Sequence, residues 1–509
     1  MKNKPTFLLT VVFICGMTTM AVEMSASRLL APYFGTSLLI WANLIGLIMI
    51  YLTAGYYLGG RLADRRPQEA VLYQLTAWAG FTIGLVPFVA QPILRFSTVG
   101  FASYSLGIFG GSLIGVILLF AVPIIILGCV SPFAIRLQAR SVESTGKASG
   151  NIYALSTLGS ILGTFLPVLF LIPVIGTRKT LLSFSLILLA FSLVGLWRTV
   201  GRRAWWSGLL VLAILLLTVF VPGGIVKAAD GLVYEAESAY NYIQVVRSGD
   251  NTALVLNEGH AWHSIYNPKE LLTGGPWDYF LIAPYFNANY RMEDVKSLYV
   301  LGLAAGTVPK QYTQIYGPIA IDGAEIDPEI IQIGRRYFAM NEPNLNAIPQ
   351  DGRYFLQRTN KKYDVIGIDA YRQPYIPFHL TTREFFMEVR DHLTPRGVAM
   401  INAGRTPTDD RLVQALASTM RAVFPSVFVI DVPTGWNSMV VGTNQATNLE
   451  NFQVNLVNLP DSNLRSVAES ALAQGIRPVT ASGLVFTDDR APVEQVIDQI
   501  ILGYVSGRH

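Results

Sequence analysis

Cysteine and charge are both scarce in this chain. Its 509 residues include two cysteines, Cys15 and Cys129, each inside an apolar run, which excludes a disulfide scaffold and a cysteine-based zinc site. Charged residues make up 14% of the chain against 51% hydrophobic ones, and the mean hydropathy is +0.41. Such a composition excludes disordered, collagen-like and nucleic-acid-binding classes and is too apolar for a wholly water-soluble protein. Acidic residues are nearly missing from the first half. Residues 1–226 hold 15 Lys and Arg against 4 Asp and Glu, a net of +11, whereas 227–509 hold 23 against 30, a net of −7. Two bodies share the chain.

What the first half does have is long apolar runs. They recur at about 6–30, 38–60, 70–93, 105–131, 150–174, 180–198 and 204–222, each near the roughly 20 residues that a hydrocarbon core requires. Seven transmembrane helices are predicted over residues 1–226. The first run follows Lys2 and Lys4 and continues past Met20 without a small-residue cleavage site, so it reads as a retained helix. Eleven positive residues fall in the loops of one side and four (Arg28, Arg95, Arg178, Lys179) on the other, which places the N-terminus in the cytoplasm. The expected location is the inner cell membrane, multi-pass, with lipids as partners. Seven crossings would export the C-terminal half, and one helix more or fewer would reverse that side. Glu23 and Arg28 are charges inside the first run. Glu23 is either part of a polar path for a cationic amine or an interhelical hydrogen-bonding group, and Arg28 snorkels to the interface.

From about residue 230 the pattern changes to short strands, polar turns and amphipathic helices. Ile243–Arg247 and Ala253–Asn257 read as a hairpin across the five residues 248–252. This predicts a small β-hairpin lobe over 227–290 in front of a Rossmann-like domain over 291–509. There, strand patterns at Ser297–Leu301, Ile319–Glu325, Asp364–Ile368, Val398–Asn402, Val427–Val432 and Met439–Gly442 alternate with helices, as in a doubly wound α/β sheet.

Ligands of such sheets sit beyond the carboxyl ends of the strands. The first strand runs into Gly302-Leu303-Ala304-Ala305-Gly306-Thr307, small residues that let the backbone approach a ligand. The second ends at Glu325-Ile326-Asp327-Pro328, where an acid can accept both hydroxyls of a ribose. Asp351-Gly352 follows the third strand position, where a carboxylate can accept from an exocyclic amine such as adenine N6. Asp369 closes the strand Asp364–Ile368. Together these outline a nucleoside pocket. Each also has a purely structural reading: turn shaping for Gly302 and Gly306, helix capping for Glu325 or Asp327, and loop carboxylates for Asp351 and Asp369.

The order of these motifs resembles the polyamine aminopropyltransferases such as spermidine synthase, in a form fused to a membrane domain. The resemblance covers roughly 235–500 and rests on Tyr240-Asn241-Tyr242-Ile243-Gln244-Val245, Leu256-Asn257-Glu258-Gly259, Leu301–Thr307, Glu325-Ile326-Asp327, Asp351-Gly352 and Asp369-Ala370-Tyr371. It also includes the terminal Thr487-Asp488-Asp489-Arg490-Ala491-Pro492-Val493-Glu494. It implies an enzyme that displaces a group from a sulfonium and releases 5′-methylthioadenosine. The co-substrate would be S-adenosylmethionine or its decarboxylated form, and putrescine or another polyamine the possible acceptor, with no tightly bound cofactor, no metal and a possible homo-oligomer. Residue by residue, Gly302, Ala304, Gly306, Glu325, Asp327, Asp351 and Gly352 would bind the nucleoside. Asp369 would orient and deprotonate the amine beside Tyr371, and Tyr242, His263, Arg372 and Tyr375 would touch substrate.

Soluble members carry acids where this chain has Ala305 and Arg372, and those acids would hold ammonium groups. Their loss favours an alternative in which the carboxylate of intact S-adenosylmethionine pairs with Arg372 and attacks its own γ-carbon, giving a lactone and 5′-methylthioadenosine. Two other classes remain: a methyltransferase on the same fold, and a polyamine transporter or sensor with a non-catalytic nucleoside domain. Tyr371 to His379 reads as a lid leading to a helix opened by Thr381 and Glu384 at capping-box spacing. His379 and His392 read as structural. His260 and His263, three apart in an expected strand, point to opposite faces with no third ligand cluster, so no metal is expected.

Overall fold

The computed structural model describes residues 5–35, 38–99, 107–139, 145–221, 227, 229–257, 261–371, 375–480 and 483–505. The chain forms two compact units. The first comprises Met1–Ala228 with Glu235–Tyr242 and Asn257–Gly259, and the second holds the rest.

The first unit is helical: α1 (Pro5–Phe34), α2 (Leu38–Arg65), α3 (Glu69–Val99), α4 (Gly107–Gly128), α5 (Val130–Gln138), α6 (Thr145–Leu166), α7 (Ile172–Val200) and α8 (Trp205–Phe220). Among the described residues, five stretches are long and apolar enough to cross a membrane: Thr6–Phe34, Ile40–Arg65, Glu69–Ser97, Gly110–Gln138 and Thr145–Phe220. All seven expected segments overlap these five stretches, and the last three lie along Thr145–Phe220, where a π turn at Pro167–Leu171 and a 3₁₀ turn at Gly201–Ala204 stand between α6, α7 and α8. The stretch is not straight, since Gly176 (φ +79°) and Gly201 (φ +60°) break its helical path. Large apolar side chains such as Phe165, Leu169, Phe170 and Phe220 are exposed, as expected of a surface that faces lipid rather than water. Glu23 is half-buried on α1.

Small residues let α1 and α6 approach closely. A Cβ at Gly159 would meet the Phe13 carbonyl, and one at Gly163 the Met17 carbonyl. Such backbone contact lets the two helices pack closely.

The second unit contains a large sheet and most of a small one. The small one pairs β1 (Leu232–Glu237), β2 (Tyr242–Ser248), β3 (Asn251–Leu256) and β4 (Trp262–Tyr266) in sequence order. The expected hairpin is therefore part of a four-stranded sheet. Its turn is also tighter than the predicted five residues. Ser248 pairs with Asn251, so Gly249 and Asp250 alone make the turn, with Gly249 at φ +58°. Ile243, Val245, Leu254 and Leu256 pack with Ile330, Ile333 and Phe338, which seats this sheet on the larger domain.

The large sheet has eight strands: β5 (Ser297–Leu301), β6 (Ala320–Ala324), β7 (Leu345–Ile348), β8 (Tyr363–Ile368), β9 (Leu393–Gly404), β10 (Ser426–Asp431), β11 (Asn437–Thr443) and β12 (Ile476–Pro478). Their order is β12-β10-β11-β9-β8-β5-β6-β7. β5 to β9 pair in parallel, and the remaining strands join through antiparallel pairs. Along β5, Leu298 and Val300 enter one core, Tyr299 and Leu301 the other, the alternation of a strand covered on both faces. Chain order reverses at β5, with β6 on one side and β8 on the other, so the crevice for a ligand opens beyond Leu301 and Ile368. β7 occupies the third strand position expected before Asp351, and the short β12 was not anticipated.

If backbone contact holds α1 to α6, Gly163→Leu will lower the thermal midpoint of the detergent-solubilised full chain, by overpacking of roughly 1–3 kcal/mol. Gly208→Leu, with open space around the new Cβ, is expected to leave it nearly unchanged. Equal midpoints for the two variants would contradict that packing.

Candidate active site

The site is assembled where β5 and β8 end side by side. Gly302 has φ +93°, and a Cβ there would lie 2.5 Å from the Asp369 carbonyl oxygen. The Asp369 N–H donates to the Leu301 carbonyl at 2.8 Å. Only glycine tolerates both the dihedral and this approach. The loop continues to α10 (Thr307–Tyr316), and Gly306 (φ +89°) stands against the Met340 side chain at its N-terminus. The Ala305 N–H donates to Ser264 Oγ at 3.0 Å, and the Ile265 N–H to Thr307 Oγ1 at 3.0 Å, so β4 clamps the loop.

Ala304 is left-handed at φ +47°, a cost of about 1–2 kcal/mol for a residue with a Cβ. Its N–H thereby reaches Glu325 Oε2 at 2.9 Å, while the Asp327 N–H donates to Oε1 at 3.1 Å. Burial pushes the Glu325 carboxyl up to about 7 in spite of these donors. The Ile326 N–H is a third backbone donor to this carboxylate, so of about four lone-pair positions roughly one is left to accept from a hydroxyl. Asp327 is fully buried and caps α11 (Pro328–Tyr337) through the Glu329 N–H at 3.1 Å, so its carboxylate serves the helix.

Asp351 caps α12 (Gly352–Arg358): Oδ1 accepts from the Tyr354 N–H at 2.9 Å, and Oδ2 lies 3.3 Å from His379 Nε2. The hydrogen bond with His379 holds the Asp351 carboxyl below its usual range. Gly352 packs against the Leu301 side chain.

Asp369 lies one residue past β8. Its Oδ1 accepts from Asn402 Nδ2 at 2.9 Å, and the Trp277 indole N–H also donates to the carboxylate. Burial dominates and pushes this acid up to about 7. Asp369 lines a pocket with Gly302, Leu303, Ala304, Trp277 and His263. Such an arrangement offers one carboxylate, held by neutral donors, beside a loop able to approach a ligand.

The remaining candidates fall elsewhere. The Tyr371 hydroxyl donates to the Asn402 carbonyl at 3.0 Å, Tyr375 bonds to Asp498, and the buried Tyr242 donates to Glu235; none of the three is among the pocket-lining residues. Arg372 and His260, together with Glu258 and Gly259, lie outside the described residues. The helix after the expected lid, α13 (Arg383–Asp391), is capped by Thr382 through the Phe385 N–H, one residue later than predicted. His392 bonds to the Glu388 and Thr359 carbonyls. His379, read from sequence as structural, meets Asp351.

Three residues around Asp369 and Asp351 escaped sequence reasoning. Asn402 carries a signal, because it closes the predicted strand Val398–Asn402. Trp277, on the short helix α9 (Pro276–Tyr279), and His379 reach the site only through packing.

Residues 311–455 match the family described as the spermine/spermidine synthase domain. A protein of Bifidobacterium longum named "Probable polyamine aminopropyl transferase" is 33% identical over 292 residues, 53% of this chain and 64% of that protein. A Vibrio vulnificus protein named "Polyamine aminopropyltransferase" is 33% identical over 183 residues, 35% of this chain and 56% of that one. The chain thus spans less than two thirds of the length of these relatives. A crystal structure titled as a probable spermidine synthase from Corynebacterium glutamicum is 19% identical, covers 48% of this chain and 95% of its own, and has a TM-score of 0.38. Part of the α/β unit thus matches the spermine/spermidine synthase domain, and the chain is similar to proteins named polyamine aminopropyltransferases.

The raised Asp369 acid makes a signed prediction. A carboxyl with a folded pKa of about 7 and an ordinary value of 3.8 favours folding when protonated, and that contribution is lost as pH rises across this window. The thermal midpoint of Asp369→Asn minus that of the wild type is therefore expected to grow from about pH 4 to pH 7 and to level off above. A difference independent of pH would contradict the burial assigned to this carboxylate.

Proposed function

We propose that this chain is an integral membrane aminopropyltransferase that uses decarboxylated S-adenosylmethionine, with a polyamine such as putrescine as acceptor, and releases 5′-methylthioadenosine. The observation that carries this reading is the half-buried Asp369 carboxylate, held by Asn402 and Trp277 at the pocket beside Gly302. The family match and the names of the relatives support the reaction class.

In this reading a ribose hydroxyl binds Glu325 at the acceptor position that the Ala304, Ile326 and Asp327 N–H groups leave unused, and Asp351 accepts from the adenine amine. The acceptor nitrogen attacks the aminopropyl carbon bonded to sulfur. A C–N bond forms, the C–S bond breaks, and its electron pair returns to sulfur, giving a neutral thioether. The proton lost by the nitrogen goes to Asp369. The sulfonium is already a good leaving group, so the protein mainly positions the nucleophile, keeps it unprotonated and excludes water. A carboxylate raised to about 7 is a stronger base than an exposed one. The five apolar stretches support multi-pass anchoring in a membrane.

Asp369→Asn is expected to lower the turnover of 5′-methylthioadenosine formation by at least about 100-fold, the usual worth of a positioned base, with KM for the sulfonium substrate little changed. Assayed in detergent by mass spectrometry, retention of the wild-type rate would overturn the role given to Asp369.

A further inference from the structure

Asp369 is not held by an isolated donor. Parallel pairing sets Ile368 against Ile401, so Asp369 and Asn402 leave adjacent strands at the same level. Antiparallel pairing sets Asn437 against Gly404, which makes Asn437 the diagonal neighbour of Asn402 on β9. Three side chains on three adjacent strands then form one chain of hydrogen bonds. Asn437 Nδ2 donates to Asn402 Oδ1 at 2.8 Å, and Asn402 Nδ2 donates to Asp369 Oδ1 at 2.9 Å.

A side-chain amide has a donor end and an acceptor end of nearly the same shape. Turned the wrong way, Asn402 would place its oxygen against the carboxylate and repel it. Asn437 prevents this by occupying that oxygen. Asn402 is almost fully buried, and its backbone carbonyl also receives the Tyr371 hydroxyl at 3.0 Å, so the whole residue is committed to this corner of the site. Both donors to Asp369, the Asn402 amide and the Trp277 indole, are neutral. They orient the carboxylate without the strong depression of basicity that a paired arginine or lysine would impose. The titratable groups that share its surroundings are Tyr371 on the same loop and His263 across the pocket.

We propose that Asn437 and Asn402 form an amide relay that fixes the orientation of the Asp369 carboxylate, which makes both of them positioning residues for the displacement reaction. The inference rests on the reading of Asp369 as the base. The relay explains why two asparagines lie on neighbouring strands of an otherwise apolar sheet end: a buried polar side chain is retained where its hydrogen bonds are satisfied.

The test uses full-length detergent-solubilised protein and the variants Asn437→Ala and Asn402→Ala. Two quantities are followed against pH: kcat/KM for 5′-methylthioadenosine formation, and the infrared band of the protonated Asp369 carboxyl, assigned by its absence from Asp369→Asn. Loss of an oriented donor to the ionised form raises the carboxyl pKa. Both midpoints are therefore expected to move up by about one pH unit, roughly a fivefold loss of activity at the wild-type midpoint, with KM for the sulfonium substrate unchanged. Folded variants in which neither midpoint moves overturn the relay, whatever their rate. Should Asn402→Ala fail to fold, Asn437→Ala decides, since it removes only a half-buried side chain at the start of β11. The infrared midpoint also separates the two readings. If Asp369→Asn keeps the wild-type rate, the base assignment falls, and the infrared shift in Asn437→Ala still reports whether the relay controls the carboxylate.

Discussion

Everything in the α/β unit's site depends on one close approach. Parallel pairing of β5 with β8 brings Leu301 and Ile368 level, and the Asp369 N–H bonds back to the Leu301 carbonyl. No room is left for a side chain at Gly302. With a Cβ there the two strand ends would separate, the loop 302–306 would lift, and the Ala304 N–H could no longer reach Glu325. The Glu325 side and the Asp369 side of the site are thus coupled through a single missing methyl group.

That contact also explains how two acids in one small region come to differ from ordinary surface carboxylates. Glu325 and Asp369 are both driven up by burial, and each is compensated by neutral donors: backbone N–H groups for Glu325, an amide and an indole for Asp369. Asp351, at a half-exposed helix start beside His379, moves the other way. The carboxyl ends of these strands therefore present two carboxyls raised to about 7 and one held below its usual range, and perturbed acids near a pocket point to chemistry.

Much of this was legible in the sequence, because the relevant signals are local. A glycine after an apolar strand, an acid at the end of the next strand and an acid closing Asp364–Ile368 can be read from composition and period alone. So can the apolar runs of the first half. What could not be read depends on contacts between distant segments. Trp277 belongs to a four-residue helix with no periodicity, yet its indole reaches Asp369. The choice of Asp327 as a cap rather than a ligand is decided by how Pro328 starts the helix. Along Thr145–Phe220 the π and 3₁₀ turns that link α6, α7 and α8 could not be told from loops, because charge and glycine suggest a loop in either case. The two-residue turn at Gly249-Asp250 was overestimated because polar residues at strand ends resemble turn residues until their pairing is seen.

The most direct test of the account identifies the products that the wild-type protein makes. Purified full-length protein in detergent would be given decarboxylated S-adenosylmethionine or intact S-adenosylmethionine, each with and without putrescine, and all adenosine-containing products followed by mass spectrometry. The account predicts 5′-methylthioadenosine from the decarboxylated compound with putrescine, together with the aminopropylated amine. Release of 5′-methylthioadenosine from intact S-adenosylmethionine without an acceptor would select the cyclising reaction in its place. S-adenosylhomocysteine, or no product under any condition, would contradict sulfonium displacement at Asp369 altogether.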